Sequence, residues 1–124
     1  MRVLVVDDHD SLRDLFQVCL SLEDDLELVG LAGDGLEAID LAVELAPDAI
    51  VLDVELPVLD GIAALPALRR ALPHATIVVF SAATDPAVAA RAIASGATRY
   101  LVKDRAQLGD VISALREHGT RLSA

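Results

Sequence analysis

Five short apolar runs, each followed by a stretch of helical periodicity, constrain this chain more than any other feature. The runs are Val3–Val6, Leu26–Leu31, Ile50–Leu52, Ile77–Phe80 and Tyr100–Val102. Three of them are almost continuously apolar, the pattern of strands covered on both faces in a parallel sheet. Between them, Leu12, Leu15, Phe16 and Cys19 fall on one face of a first helix, and Leu36, Ile39 and Val43 on one face of a second. Leu108, Val111, Ile112 and Leu115 do the same in a fifth. Such β-α units predict an α/β fold: a doubly wound five-stranded parallel sheet with right-handed crossovers.

The punctuation agrees with this division. Asp34 followed by Glu37 reads as a capping pair for the second helix, which Pro47 closes. Asp85-Pro86 supplies an N-cap with proline at the first helical position, and Gly96 stands where a left-handed C-cap is wanted. Pro66 is awkward within the third helix, which is expected to start late or to bend there.

A chain of 124 residues is one domain of ordinary size and needs no disulfide or structural metal to bury a core. Cys19 is its only cysteine, so no intramolecular disulfide can form, and a reducing cytoplasm is the expected location. No apolar stretch is long enough to span a membrane. The formal net charge of −10 repels phosphate backbones, so neither DNA nor an anionic membrane is an expected partner of the domain itself.

In open parallel sheets the functional site lies at the carboxyl ends of the strands. Here the first strand ends in Asp7-Asp8, the third in Asp53, the fourth in Ser81 and the fifth in Lys103, the only lysine. Each has an ordinary reading alone: a helix cap, a loop aspartate, a loop serine, an exposed lysine. Together at one sheet edge they describe a site. If the first and third strands are neighbours, three carboxylates converge, and like charges at that range disfavour joint ionisation without a cation. A hard divalent ion such as Mg²⁺ fits oxygen ligands of this kind. One carboxylate can then act as a nucleophile toward phosphorus, with an ammonium and a hydroxyl to stabilise the transferring oxygens.

These residues resemble the receiver domains of two-component response regulators. The matching phrases are Val5-Val6-Asp7-Asp8-His9, Ile50-Val51-Leu52-Asp53 with Pro57 and Asp60-Gly61, Phe80-Ser81-Ala82, and Gly96-Ala97-Thr98-Arg99-Tyr100-Leu101-Val102-Lys103. The resemblance covers nearly the whole chain and implies a flavodoxin-like strand order 2-1-3-4-5. It implies that Asp53 accepts a phosphoryl group from a histidine kinase or phosphotransfer protein. Mg²⁺ would be held by Asp8 directly, by Asp7 through water, and by Asp53 and the backbone carbonyl of Glu55. Lys103 would pair with the phosphoryl group, and Ser81 and Tyr100 would act as switch residues. The readout would be the surface of the fourth helix, fifth strand and fifth helix, with dimerisation on phosphorylation a possible consequence. Such a domain is a signalling switch, not an enzyme beyond its own phosphotransfer and dephosphorylation.

His9, the Gly96–Lys103 phrase and Asp104, where many receivers carry proline, resemble the NarL/LuxR-type branch, whose regulators usually add a DNA-binding helix-turn-helix. Residues 1–118 are then the receiver, and 119–124 the start of a linker to an output domain outside this chain. The state of the Lys103–Asp104 peptide is left open. Glu55 places a negative side chain at the rim, and Cys19 is expected in the core. His9 beside two aspartates could be a transition-metal ligand, but is expected at the entry to the first helix. Alternatives are a stand-alone receiver acting by protein contact and a phosphorylation-independent pseudo-receiver. Asp8-His9-Asp10 also matches the Asp-x-Asp of haloacid-dehalogenase-like phosphatases, but their later acidic motif is missing.

Overall fold

Alternation of burial along each strand determines how the chain layers. A computed structural model describes residues 1–123, with side-chain surroundings defined for residues 1–117. The expected linker at 119–124 lies outside the residues so defined. The elements follow the order β1 (Arg2–Val6), α1 (Asp10–Ser21), β2 (Glu27–Ala32), α2 (Gly35–Leu45), β3 (Ala49–Leu52), α3 (Gly61–Ala71), β4 (Thr76–Ser81), α4 (Pro86–Ala94), β5 (Arg99–Val102) and α5 (Leu108–Ser123). The strands form one sheet in the order β2-β1-β3-β4-β5, and every pairing is parallel.

Even and odd positions of the central strands serve two cores. Leu4, Val6, Ile50, Leu52, Ile77 and Val79 point to a layer closed by Ala38 and Ala42 of α2, Leu65 and Leu68 of α3, and Ala92 of α4. Val3, Val5, Val51, Val78 and Phe80 point the other way, against Phe16 and Leu20 of α1 and Val111 and Leu115 of α5. Phe16 and Phe80 meet edge to face with ring centroids 6.1 Å apart, a favoured aromatic geometry. Both faces of β1, β3 and β4 are thereby dry, which is why those runs are unbroken by polar residues.

The caps expected at Asp34 and Asp85 form, and Asp60 adds a third. The side chains of Asp34, Asp60 and Asp85 accept from the backbone N–H groups of Glu37, Ala63 and Ala87. Ala46 takes a left-handed conformation before Pro47, and Gly96 closes α4 with φ 122°.

Two expectations need correction, and one of two alternatives at Pro66 is excluded. In α1 the inward positions are Phe16 and Leu20, while Leu15 is 53% exposed. That helix also carries Val18 on its outer side, so its apolar arc is too wide for periodicity to choose a centre. In α2, Leu36 and Val43 face outward and Gly35, Ala38 and Ala42 are buried. Close approach explains this: a Cβ on Gly35 would stand 2.0 Å from the carbonyl oxygen of Leu59, so small residues, not large ones, form the contact face. Finally, α3 begins at Gly61, where Asp60 caps it, and runs through Pro66; it does not start late. The fifth helix buries Val111, Ile112 and Leu115 as expected.

The far edge of the fold is tied by charge. Arg116 on α5 donates through Nε and Nη2 to both carboxylate oxygens of Asp25, at 2.9 and 2.8 Å, and through Nη2 to Glu23. Hydrogen bonds from that guanidinium hold Asp25 down from 3.8 to about 2. Because its pKa is lowered on folding, the stability it contributes is present above pH 3.8 and is lost as pH falls toward about 2. In a carboxyl carbon NMR titration, Asp25 should titrate near 2 in the wild type and near 3.8 in Arg116→Ala. A wild-type midpoint already near 3.8 would mean that the bridge does not form in solution.

Candidate functional site

Hydrogen bonding that continues past the strand ends builds the site. The N–H of Asp7 donates to the carbonyl of Ala32 at 3.0 Å, that of Asp53 to Val6 at 3.0 Å, and that of Lys103 to Ser81 at 2.8 Å. Each functional residue is thus the first one beyond its strand, still held by its neighbour's ladder. Adjacency of β1 and β3 brings Asp7 and Asp53 side by side at the carboxyl edge, as the strand-end reading required. Both are buried, each 2% exposed, while Asp8 lies at the rim.

Lys103 joins them. Its Nζ donates to Asp7 Oδ2 at 2.8 Å and to Asp53 Oδ2 at 3.0 Å. The ammonium also lies 5.9 Å from the centroid of the Phe80 ring. Burial pushes the Lys103 pKa down, but the hydrogen bonds and charges of Asp7 and Asp53 outweigh it, and the net direction is up. For Asp7, burial raises the pKa and the hydrogen bonds from Lys103 and His9 more than offset it, so the net direction is down. The charged forms of both partners are therefore favoured.

The other oxygen of each aspartate is held separately. Asp53 Oδ1 accepts the N–H of Glu55 at 3.0 Å. Asp7 Oδ1 accepts the N–H of His9 at 2.9 Å and lies 2.9 Å from the His9 ring Nδ1, which is also 3.2 Å from Asp8 Oδ1. Hydrogen bonding to Asp7, then the charge of Asp8, raises the His9 pKa. His9 thus sits at the helix entry as expected, yet its ring belongs to the acidic cluster. The sequence signal for this was the Asp7-Asp8-His9 adjacency itself.

Oxygen donors from Asp7, Asp8 and Asp53, grouped with His9 so that one ligand atom of each lies within 4.8 Å of the others, suit a divalent cation. The carboxylates alone carry more negative charge than Lys103 neutralises.

Ser81 is fully buried at the end of β4, with its Oγ accepting from the N–H of Ala83 at 3.3 Å. Tyr100, half-buried on β5, donates its hydroxyl to the carbonyl of Ala83 at 2.8 Å. Both switch candidates are therefore fastened to one residue. Burial raises the Tyr100 pKa, a hydrogen bond with Ser81 opposes it, and the charges of Glu55 and Asp53 add to the rise. The side chain of Glu55 is exposed at the rim. No peptide bond among the described residues is cis, so Lys103–Asp104 is trans, and Lys103 still reaches both aspartates.

Residues 3–116 match the response regulator receiver domain family. The chain belongs to that family. This receiver domain is 35% identical to the transcriptional regulatory protein LiaR of Bacillus subtilis, over 100% of this chain and 60% of the relative. It is 45% identical to a protein-glutamate methylesterase/protein-glutamine glutaminase of Maricaulis maris, over 85% of this chain and 27% of the relative. The chain thus spans less than two thirds of either protein. Among solved structures, it superposes with TM-score 0.88 on the response regulator domain of Thermotoga maritima CheB, at 32% identity, covering 97% of this chain and 96% of that one. The receiver of the putative regulator NarL from Mycobacterium tuberculosis gives the same TM-score and identity, with 96% and 95% coverage. LiaR and NarL support the branch resemblance.

The loop after Asp53 stores strain. Val58 is 75% exposed, with φ 66°, a conformation that costs a β-branched residue about 1–3 kcal/mol. Gly61 is its opposite: a Cβ there would lie 2.3 Å from the Asp53 carbonyl oxygen and 2.6 Å from Val54 Cα. Urea unfolding should therefore show Val58→Asn more stable than wild type by about 1 kcal/mol, since asparagine tolerates that conformation. Gly61→Ala should be less stable by about 1–3 kcal/mol, through forced displacement of the backbone that carries Asp53.

Proposed function

We propose that this receiver domain accepts a phosphoryl group on Asp53 from a histidine kinase or phosphotransfer protein in the cytoplasm. It then relays the change through the α4-β5-α5 surface to a DNA-binding output domain. The observation that carries this reading is Lys103 bridging the buried Asp7 and Asp53 at the carboxyl edge of the sheet.

Asp53 presents a buried carboxylate whose orientation is fixed from both sides, by Glu55 N–H on Oδ1 and by Lys103 on Oδ2. An oxygen of that carboxylate forms the new bond to phosphorus as the bond from phosphorus to the donor's imidazole nitrogen breaks. Lys103 exchanges its contact with Asp53 for one with a phosphoryl oxygen while keeping Asp7, so its charge stays in place through the transfer. Asp8 would ligate Mg²⁺ directly and Asp7 through water, with Asp53 and the Glu55 carbonyl completing the protein ligands. When bound, the ion supplies charge neutralisation at the phosphoryl oxygens.

The relay follows from the shared anchor. A Ser81 hydroxyl that turns to the phosphoryl group releases the Ala83 N–H, and the Ala83 carbonyl is what holds Tyr100. A charge change at Asp53 thereby biases the position of Tyr100 on β5, a two-state element of the kind that switches use. Dimerisation through the same surface on phosphorylation is part of this reading. The 45% identity to the Maricaulis maris methylesterase favours a second output, an esterase domain under the same switch. In either case the receiver itself turns over only its own acyl phosphate.

Intact-protein mass spectrometry after incubation with acetyl phosphate and Mg²⁺ tests the acceptor. The wild type should gain one phosphoryl group, a gain abolished when the metal is chelated beforehand, and Asp53→Asn should gain none. A folded wild type that stays unmodified would overturn the proposal in favour of a phosphorylation-independent receiver.

A further inference from the structure

Arg69 stands in the last turn of α3, and among the described residues no carboxylate pairs with its charge. Its donors go to main-chain carbonyls instead. Nη1 donates to Leu72 at 3.1 Å and to Ala75 at 2.7 Å, just beyond the end of its own helix. Nε and Nη2 both donate to the carbonyl of Gly96, at 3.0 and 2.6 Å, in the turn between α4 and β5. One side chain thus ties the ends of two helices together beside the entry to β4.

We infer that Arg69 is a positioning residue of the switch: it pins the C-terminal corner of α4, so that a change at Asp53 swings the N-terminal half of that helix about a fixed end at Gly96. The inference rests on the phosphoryl-acceptor reading and deepens it, by assigning the hinge of its readout.

The corner is built to stay still. Gly96 has φ 122°, a conformation open to glycine, and a Cβ there would stand 3.1 Å from Arg69 Cβ and 3.3 Å from its Cγ. The Arg69 stem therefore packs on the bare face of Gly96 while its guanidinium takes the carbonyl. The N–H groups of the corner are also engaged: Ser95 with Arg91, Gly96 with Ile93, Ala97 with Ala92, and Thr98 with Ile77 of β4. Thr98 Oγ1 returns a bond to β4 by accepting the N–H of Ile77 at 2.9 Å. Ala92 and Ala97 are buried on either side.

The other end of α4 has no such support. Ala92 is the only buried residue of the helix, and Pro86, Ala87 and Ala90 are exposed. Asp85 caps the first turn locally, through the N–H of Ala87. The segment before it is held at Ala83, whose N–H goes to Ser81 and whose carbonyl takes Tyr100. Those are the bonds that the phosphoryl group would disturb. A helix fastened firmly at one end, and through responsive bonds at the other, turns about the firm end. Without the guanidinium, the corner would be free to move with the helix.

Amide spectra of the whole chain test this, recorded with and without beryllium fluoride plus Mg²⁺ as an acyl-phosphate mimic. In wild type the shifts at residues 83–91 should exceed those at 95–98 by at least about threefold. In Arg69→Met the shifts at 95–98 should rise about threefold or more, while acetyl phosphate labels Asp53 within about twofold of the wild-type rate. Should that variant not fold, Arg69→Lys, with one nitrogen in place of three, carries the same comparison with a rise of at least about 1.5-fold. Wild-type shifts as large at the corner as at 83–91 would overturn the inference. So would an unchanged distribution in the variant, which would leave Arg69 a structural role only. Shifts around Asp53 with none in α4 would overturn the hinge and leave the acceptor reading standing. No shift anywhere in wild type would overturn the acceptor reading, and the hinge with it.

Discussion

A single ammonium between two buried carboxylates organises the functional end of this domain. Asp7 and Asp53 are held by backbone hydrogen bonds at the ends of adjacent strands, too close to be charged together in a dry setting without a cation. Lys103 supplies that cation from the far side of β4, and it can do so because its own N–H extends the β4–β5 ladder by one residue. The register of the sheet thus becomes a statement about charge. Moving any of β1, β3 or β5 by one residue would turn its terminal side chain to the other face.

The remaining excess of negative charge gives the site its uses. Lys103 occupies only the Oδ2 atoms, leaving Asp7 Oδ1 and the rim Asp8 oriented toward a further cation. His9 fills part of that role, since its ring contacts both aspartates. Behind the acidic group, Ala83 links the Ser81 hydroxyl to the Tyr100 hydroxyl through opposite ends of one residue. Local charge and the Tyr100 hydroxyl are thereby separated by one short, hydrogen-bonded path.

Much of this was legible in the sequence because the features are local or strictly periodic. Continuous runs such as Val3–Val6 and Ile50–Leu52 admit only strands covered on both faces, and the residues that follow them stand at the functional edge. Caps at Asp34 and Asp85 could be read because they depend on a few adjacent residues. What failed depends on contacts distant in sequence. The buried face of α2 is set by how closely Gly35 meets Leu59, and no periodicity in Leu36, Ile39 and Val43 reports that approach. The inclusion of the His9 ring in the acidic cluster, by contrast, was signalled by the Asp7-Asp8-His9 adjacency. Of the two alternatives at Pro66, a late start fails because the Asp60 cap fixes where α3 begins, ahead of the proline.

The central claim is that Asp53, and not the neighbouring Asp7 or Asp8, is the carboxylate that takes the phosphoryl group. Reduction of the phosphorylated chain with borohydride converts an acyl phosphate to the corresponding alcohol, so the acceptor aspartate becomes homoserine and can be located by peptide sequencing in the mass spectrometer. Homoserine at position 53 alone is the predicted result. Homoserine at position 7 or 8, with Asp53 recovered unchanged, would contradict the account and reassign the nucleophile to the first strand.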